Sequence, residues 1–178
     1  MKTSYIFLSD GFEEIEALSV VDILRRAEIS IITLSMNDTL TVKSSHGVTV
    51  VADALFRGSD LSDGDYLILP GGSTKLNEYD DLKLLLRSHA DRGGRIAAIC
   101  AAPMVLGGIS LLDGKRATCY PGFEKYLVGA TFVDEGVVVD GAIITANGPA
   151  SSLKFAYTIV EQIVGAEVAA TIRQQMIY

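Results

Sequence analysis

The chain has 178 residues, 49% of them hydrophobic, and a formal net charge of −7. That is enough apolar material for one packed domain over residues 1–178 without disulfide or metal staples. The acidic balance, with Lys and Arg scattered rather than gathered in a stripe, excludes nucleic acid as a main partner. Two cysteines in no recognisable framework, no run of transmembrane length and no basic-plus-apolar leader lead us to expect a cytoplasmic protein away from membranes.

In chain order, Ser4–Ser9 reads as a strand that ends at the polar turn Asp10-Gly11. Glu13–Ala27 follows with Ile15, Leu18, Val21, Ile23 and Leu24 at helical spacing, which predicts a helix with these residues facing the sheet. Ile29–Leu34 is a second strand, and Leu40–Val42 and Val48–Val51 flank Ser44-Ser45-His46-Gly47 as a pair of strands. Tyr66–Leu69 is a buried strand closed by Pro70-Gly71-Gly72. Asp81–Arg92 is an amphipathic helix stopped by Gly93-Gly94. Ile96–Cys100 is a strand that runs directly into a helix with Pro103 in its first turn. Strands then follow at Arg116–Cys119, Ala130–Val133, Val137–Val139 and Ala142–Thr145, and helices at Ser151–Val164 and Glu167–Gln175. Strands alternating with helices predict an α/β fold, a flavodoxin-like three-layer αβα sandwich with a mainly parallel sheet. In such sheets ligands bind beyond the C-terminal strand ends. Asp10–Glu16, Pro70–Gly72 and Ile99–Ala101 should therefore converge.

Cys100 sits where strand passes into helix, and a residue there occupies a tight backbone corner like a nucleophile elbow. The small Ala98 and Ala102 let strand and helix approach, and a helix N-terminus favours thiolate. A free cysteine is equally a small buried hydrophobe, and the segment alone leaves both readings open. Cys119 reads as a buried strand residue. The amides of Gly71, Gly72 and Ala101 are placed to form an oxyanion hole, although Pro-Gly-Gly also serves as a plain turn. Glu13 and Glu14 suit a first helical turn. Glu16 lies on the inward side, where desolvation would raise its pKa and fit it to donate a hydrogen bond or shuttle a proton. His89 reads as a surface residue and His46 as a loop residue within reach of the site. No metal-ligand spacing, phosphate-binding glycine pattern or local Cys-His pair is present, so neither metal nor cofactor is expected and a protease-type triad is unsupported.

Taken together, Gly11-Phe12-Glu13-Glu14-Ile15-Glu16, Leu69-Pro70-Gly71-Gly72 and Ala97-Ala98-Ile99-Cys100-Ala101-Ala102-Pro103 resemble the ThiJ/PfpI superfamily. The likeness is greatest to the branch of the parkinsonism-associated protein deglycase and bacterial ThiJ proteins. Val21–Ala27 and Asn147-Gly148-Pro149 also look like that branch, and the resemblance spans essentially the whole chain.

The resemblance implies a homodimer, a reactive and oxidisable Cys100, a protonated Glu16 beside it, and backbone donors from Gly71, Gly72 and Ala101. It places Arg26, His46, Tyr120 and Pro149 near the pocket or the dimer seam. It implies detoxification of 2-oxoaldehydes without cofactor, repair of glycated protein or small molecules, or an oxidative-stress sensor or chaperone role in which Cys100 becomes sulfinate. A hydrolase or thiamine-pathway role is a further alternative. Three departures stand out. Tyr120 occupies the place of the branch's pocket histidine. Ala101 follows Cys100 where the protease-like branch has histidine, which argues against peptidase activity. Val51 replaces a cysteine found in some relatives.

Overall fold

A computed structural model describes residues 2–178. β1 (Ser4–Leu8) leads into α1 (Glu14–Arg26), followed by β2 (Ile31–Ser35), the β3–β4 pair (Thr41–Lys43 and Thr49–Val51) and the short β5 (Ala54–Leu55). β6 (Tyr66–Leu69), α2 (Asp80–Asp91), β7 (Arg95–Ile99) and α3 (Pro103–Gly108) form the middle of the chain. β8 (Arg116–Ala117), β9 (Thr131–Phe132), β10 (Val137–Asp140), β11 (Ile143–Ala146), α4 (Ser152–Val164) and α5 (Ala166–Gln175) complete it.

The main sheet has seven strands in the order β10-β11-β7-β6-β1-β2-β5, all parallel except β10. The inner strands β11, β7, β6 and β1 are mostly apolar and are buried on both faces, as a covered parallel sheet requires. Ile6, Leu8, Tyr66, Ile68, Ala97 and Ile99 point into the core beneath α1, α4 and α5. Tyr5, Phe7, Leu67, Leu69, Ile96 and Ala98 point into the core beneath α2 and α3. The α/β sandwich expected from the alternating elements is thus the observed architecture. The chain leaves β1 toward β2 on one side and leaves β6 toward β7 on the other. The switch point, the natural crevice of such a sheet, therefore lies between β1 and β6.

Several local expectations change. β5 escaped detection because two residues carry no periodicity. Ile15 and Leu18 are exposed rather than facing the sheet, and α1 buries Glu16, Ala17, Val20, Val21, Ile23 and Leu24 instead. β9 does not join the main sheet but pairs in parallel with β8. β8 stops at Ala117 because the Thr118 N–H donates to the Thr145 hydroxyl, not to a strand carbonyl. His89 is buried rather than on the surface. Its Nε2 lies 3.1 Å from the Asp65 carbonyl and 3.2 Å from that of Arg95.

Candidate active site

Along β7 the side chains alternate between the two cores until Ile99. Cys100 breaks the alternation and follows Ile99 onto the α1 side. The cause is its backbone, with φ +66°, the left-handed region that a non-glycine residue enters only when its surroundings hold it there. The surroundings do so from both sides of the peptide. The Cys100 N–H donates to the Ala146 carbonyl at 2.8 Å, and its carbonyl accepts from the Tyr120 N–H at 2.9 Å. The corner therefore aims the sulfur at the first helix.

Glu13 caps α1, its Oε2 accepting the Glu16 N–H at 2.8 Å, while the Glu13 N–H donates to the Gly71 carbonyl at 3.0 Å. Both bonds fix the helix start against the loop after β6. Glu16 is fully buried. Its Oε2 accepts from the Gly71 N–H at 2.7 Å, and its Oε1 has no hydrogen-bond partner. Gly71 is the partition over which thiol and carboxyl meet. A Cβ there would lie 2.6 Å from Cys100 Cβ, 2.7 Å from Glu16 Oε2 and 3.0 Å from the sulfur. Gly72 adopts φ +93°, and a Cβ on it would lie 2.5 Å from the Glu13 nitrogen, so the backbone packs as closely as glycine allows.

Burial raises Glu16 to about 7, opposed by its contacts with the Cys100 thiol and the Gly71 N–H. Burial, followed by the Glu16 charge, pushes the Cys100 thiol up to about 12, opposed by the Gly72 and Ala101 N–H groups that face the sulfur. The expectation that a helix end would favour the thiolate is overturned in this respect. α3 has only six residues and starts at Pro103, too short and too late to outweigh burial. Two groups this close titrate as a pair. Burial raises both groups, so the pair holds a shared proton between sulfur and carboxyl up to about neutral pH. Two observations favour the seat on the carboxyl. Oε1 is buried without a donor, which a carboxylate oxygen tolerates poorly, and the Gly72 and Ala101 amides are turned to the sulfur, where they stabilise negative charge.

The segments after β1, β6 and β7 thus converge, but not every predicted site residue keeps its expected place. The Gly71 N–H is engaged by Glu16 and does not serve as an oxyanion donor; Gly72 and Ala101 supply the amides directed at the sulfur. Tyr120 stands beside the corner, its N–H bonded to the Cys100 carbonyl and its side chain half exposed, its ring edge 3.2 Å from where a Gly148 Cβ would be, and Pro149 follows Gly148 as the first residue of a short 3-10 turn. His46 reaches the rim only. It is largely exposed and its Nδ1 lies 2.8 Å from Glu14 Oε2. This bond and that of the Ser44 hydroxyl hold the Glu14 carboxyl down at about 2, and the Glu14 carboxylate in turn raises His46. Arg26 does not line the pocket. It lies at the opposite end of α1, roughly 18 Å along the helix from Glu14, and is paired in solvent with Asp22 at 2.8 Å. Cys119 is buried outside the site, its thiol raised to about 11 chiefly by burial.

Glu13, Glu14 and His46 form the one cluster of potential metal donors among the described residues. No sequence spacing announces it, because the hairpin brings His46 across 32 positions to Glu14. Sequence reasoning also missed the positioning role of Glu13. Its signal was the three-residue spacing of a cap and the helix residue it holds, Glu13 to Glu16.

Comparison with known proteins bears on the whole arrangement. The pattern of the DJ-1/PfpI family matches residues 2–162. The chain belongs to this family. Among DJ-1/PfpI relatives, Protein DJ-1 homolog B of Arabidopsis thaliana is 36% identical over 90% of this chain. The match covers 37% of that protein, so the chain spans about two fifths of the length of this relative. A Caenorhabditis elegans protein named glutathione-independent glyoxalase DJR-1.2 is 32% identical over 93% of this chain and 91% of its own. The solved structure of oxidized Toxoplasma gondii DJ-1 superposes with a TM-score of 0.95 at 34% identity. It covers 100% of this chain and 99% of that one.

Proposed function

We propose that the protein is a cysteine-dependent, cofactor-independent enzyme that converts small 2-oxoaldehydes such as methylglyoxal to 2-hydroxy acids. The carrying observation is the Cys100 corner. A sulfur is held in left-handed backbone with two amides aimed at it, against a fully buried carboxyl that retains its proton up to about neutral pH. In this scheme the Cys100 sulfur adds to the aldehyde carbon, and its proton stays with the Glu16 carboxyl. The developing alkoxide is stabilised by the neighbouring Gly72 and Ala101 amides and takes the proton from Glu16, giving a hemithioacetal and leaving Glu16 as the carboxylate. Glu16 then removes the proton from the former aldehyde carbon and returns one to the adjacent carbon through an enediol, leaving a thioester of the 2-hydroxy acid. Water cleaves the thioester, releasing the acid and restoring the thiol. Repair of glycated groups uses the same addition after the hemiacetal or hemiaminal collapses, breaking its C–O or C–N bond to release the alcohol or amine and free the aldehyde carbon for the sulfur. One relative bears the name glutathione-independent glyoxalase, which supports this class of chemistry. The test is methylglyoxal turnover without glutathione. Wild-type protein forms lactate and Cys100→Ala does not; equal rates would sink the scheme.

A second reading is an oxidative-stress sensor in which Cys100 is oxidised to sulfinate. It is favoured by the partnerless Glu16 Oε1, available to hydrogen-bond an added oxygen, and by the oxidized state of the Toxoplasma gondii structure. Intact mass after mild peroxide, read beside the turnover assay, separates the two. Gain of two oxygens at Cys100 in a protein with no turnover selects sensing.

We also propose a homodimer that pairs α1 with the β3–β4 hairpin. Ile15, Leu18, Val48 and Val51 are exposed apolar side chains there, and Glu14 ties helix and hairpin together. No helix among the described residues is long and apolar enough to cross a membrane, and a cytoplasmic location remains part of this proposal.

A further inference from the structure

The face of the sheet that carries α2 and α3 is unevenly covered. The chain runs from Leu55 to Tyr66 with neither helix nor strand, so the ends of β2 and β5 lie under a loop. Phe56 from that loop packs edge-to-face on Phe7, with ring centroids 5.7 Å apart. Between the loop, the residues following β2 and the start of α2 opens a cavity of about 490 Å³, within the range of small-molecule sites (roughly 300–1,000 Å³). Its floor is apolar, made by Met36, Phe56, Leu61 and Leu85, with Tyr79 in the wall. It shares no lining residue with the Cys100 corner and lies on the face opposite α1.

The lip of this cavity is acidic. Asp38, Glu78, Asp80 and Asp81 surround it, and Arg57 is the one cationic side chain lining it. Arg57 is paired with Asp38 at 3.3 Å, and Asp80 with Lys83 at 3.5 Å. Glu78 and Asp81 are in no ion pair among the described residues. The Tyr79 phenol is raised by burial and then by the charges of Glu78, Asp10 and Asp38, so the wall of the cavity sits in a negative field. An anion would meet this field unfavourably, and a neutral apolar molecule would leave it unused.

We infer that this cavity is a second binding site that takes an organic cation. A flat apolar body lies on Phe56, Tyr79 and Leu85, and an amidinium or guanidinium head points to Glu78 and Asp81. Aromatic walls beside unpaired carboxylates suit a planar, weakly hydrated cation better than a compact ammonium. The site requires neither Cys100 nor Glu16.

The test uses benzamidine, with benzamide as neutral isostere and benzoate as anion, titrated into the 178-residue protein labelled at methyl groups. Benzamidine shifts the Met36, Leu61 and Leu85 methyl signals in a saturable way. The double variant Glu78→Gln/Asp81→Asn, at two exposed positions, weakens binding by about fivefold to tenfold. Cys100→Ala binds as wild type does, so loss of the oxoaldehyde chemistry would leave this inference standing. Benzamide or benzoate binding as tightly as benzamidine would overturn it. So would full affinity in the double variant, or shifts that spread over the acidic surface without saturating.

Discussion

The two ends of β7 hold buried titratable groups of opposite character. At the N-terminal end His89 packs on Gly94 and bonds to the carbonyls of Asp65 and Arg95, while the Arg95 guanidinium pairs with Asp65 and covers the Tyr66 ring. His89 and the Arg95–Asp65 pair have their hydrogen bonds satisfied there. At the C-terminal end Cys100 is held in left-handed backbone against a carboxyl with a partnerless oxygen. Burial is common to both ends and therefore marks neither as functional. Strain and an unmet hydrogen bond distinguish the end that faces the switch point of the sheet.

The sharpest break in this comparison is Cys100→Ala, expected to lower turnover of methylglyoxal by on the order of a thousandfold or more. Urea unfolding of the same variant should show stability changed by no more than about 1 kcal/mol, because alanine keeps the Cβ and with it the strained backbone and removes only the sulfur.

Glu16→Gln follows. Turnover should fall by about a hundredfold to ten-thousandfold, since Gln cannot carry the proton between carbons. Its stability signature has a defined sign. Glu16 is near 4.5 when unfolded and raised to about 7 when folded. Its neutral form therefore favours the fold fully below pH 4.5, and that contribution is lost as pH rises through 7. The loss is on the order of 3 kcal/mol. Wild type should thus lose stability relative to the Gln variant between pH 5 and pH 8, as read by parallel thermal melts.

Gly71→Ala places a methyl among Cys100 Cβ, the sulfur and Glu16 Oε2. It should cost about 1–3 kcal/mol in chemical denaturation and separate the thiol from its acid. Turnover should fall well beyond what the residual folded fraction explains.

His89→Leu tests the other end of β7. It leaves the carbonyls of Asp65 and Arg95 without their donor and should destabilise by about 1–3 kcal/mol, with turnover per folded molecule unchanged. Burial lowers His89 below its ordinary value of 6.5. Its contribution is therefore present above pH 6.5 and lost as pH falls, a trend the Leu variant should lack. The smallest effect belongs to Arg26→Ala, an exposed pair expected to shift neither turnover nor stability beyond about half a kcal/mol. A large loss of activity would restore Arg26 to the site.

The main elements of the fold were legible in the sequence because period and punctuation are local properties. The β1, β6 and β7 strands ended where glycine, proline or the strand-to-helix junction at Cys100 predicted, and the three segments converged as the strand-end rule requires. What failed were faces and partners. Ile15 and Leu18 are apolar like Ile23, yet they lie outside the stripe of Glu16, Ala17, Val20, Val21, Ile23 and Leu24 that α1 buries, because packing and not apolar character alone chooses the buried face. His89 lies in a run rich in charge, and nothing local shows that Gly94 leaves room for its ring.

The sequence by itself determined the α/β order, the Gly71-Gly72 turn, the Cys100 corner and the presence of an acidic residue on the inner side of α1. Tertiary structure alone decided that Gly71 serves Glu16 and not an oxyanion, that burial works against the thiolate while Glu16 offers its proton a seat, and that His46 stops at the rim. The physical reason is range. Backbone geometry and periodicity act within a few residues, whereas desolvation and hydrogen-bond partnership depend on groups 55 positions apart, as Glu16 and Gly71 are.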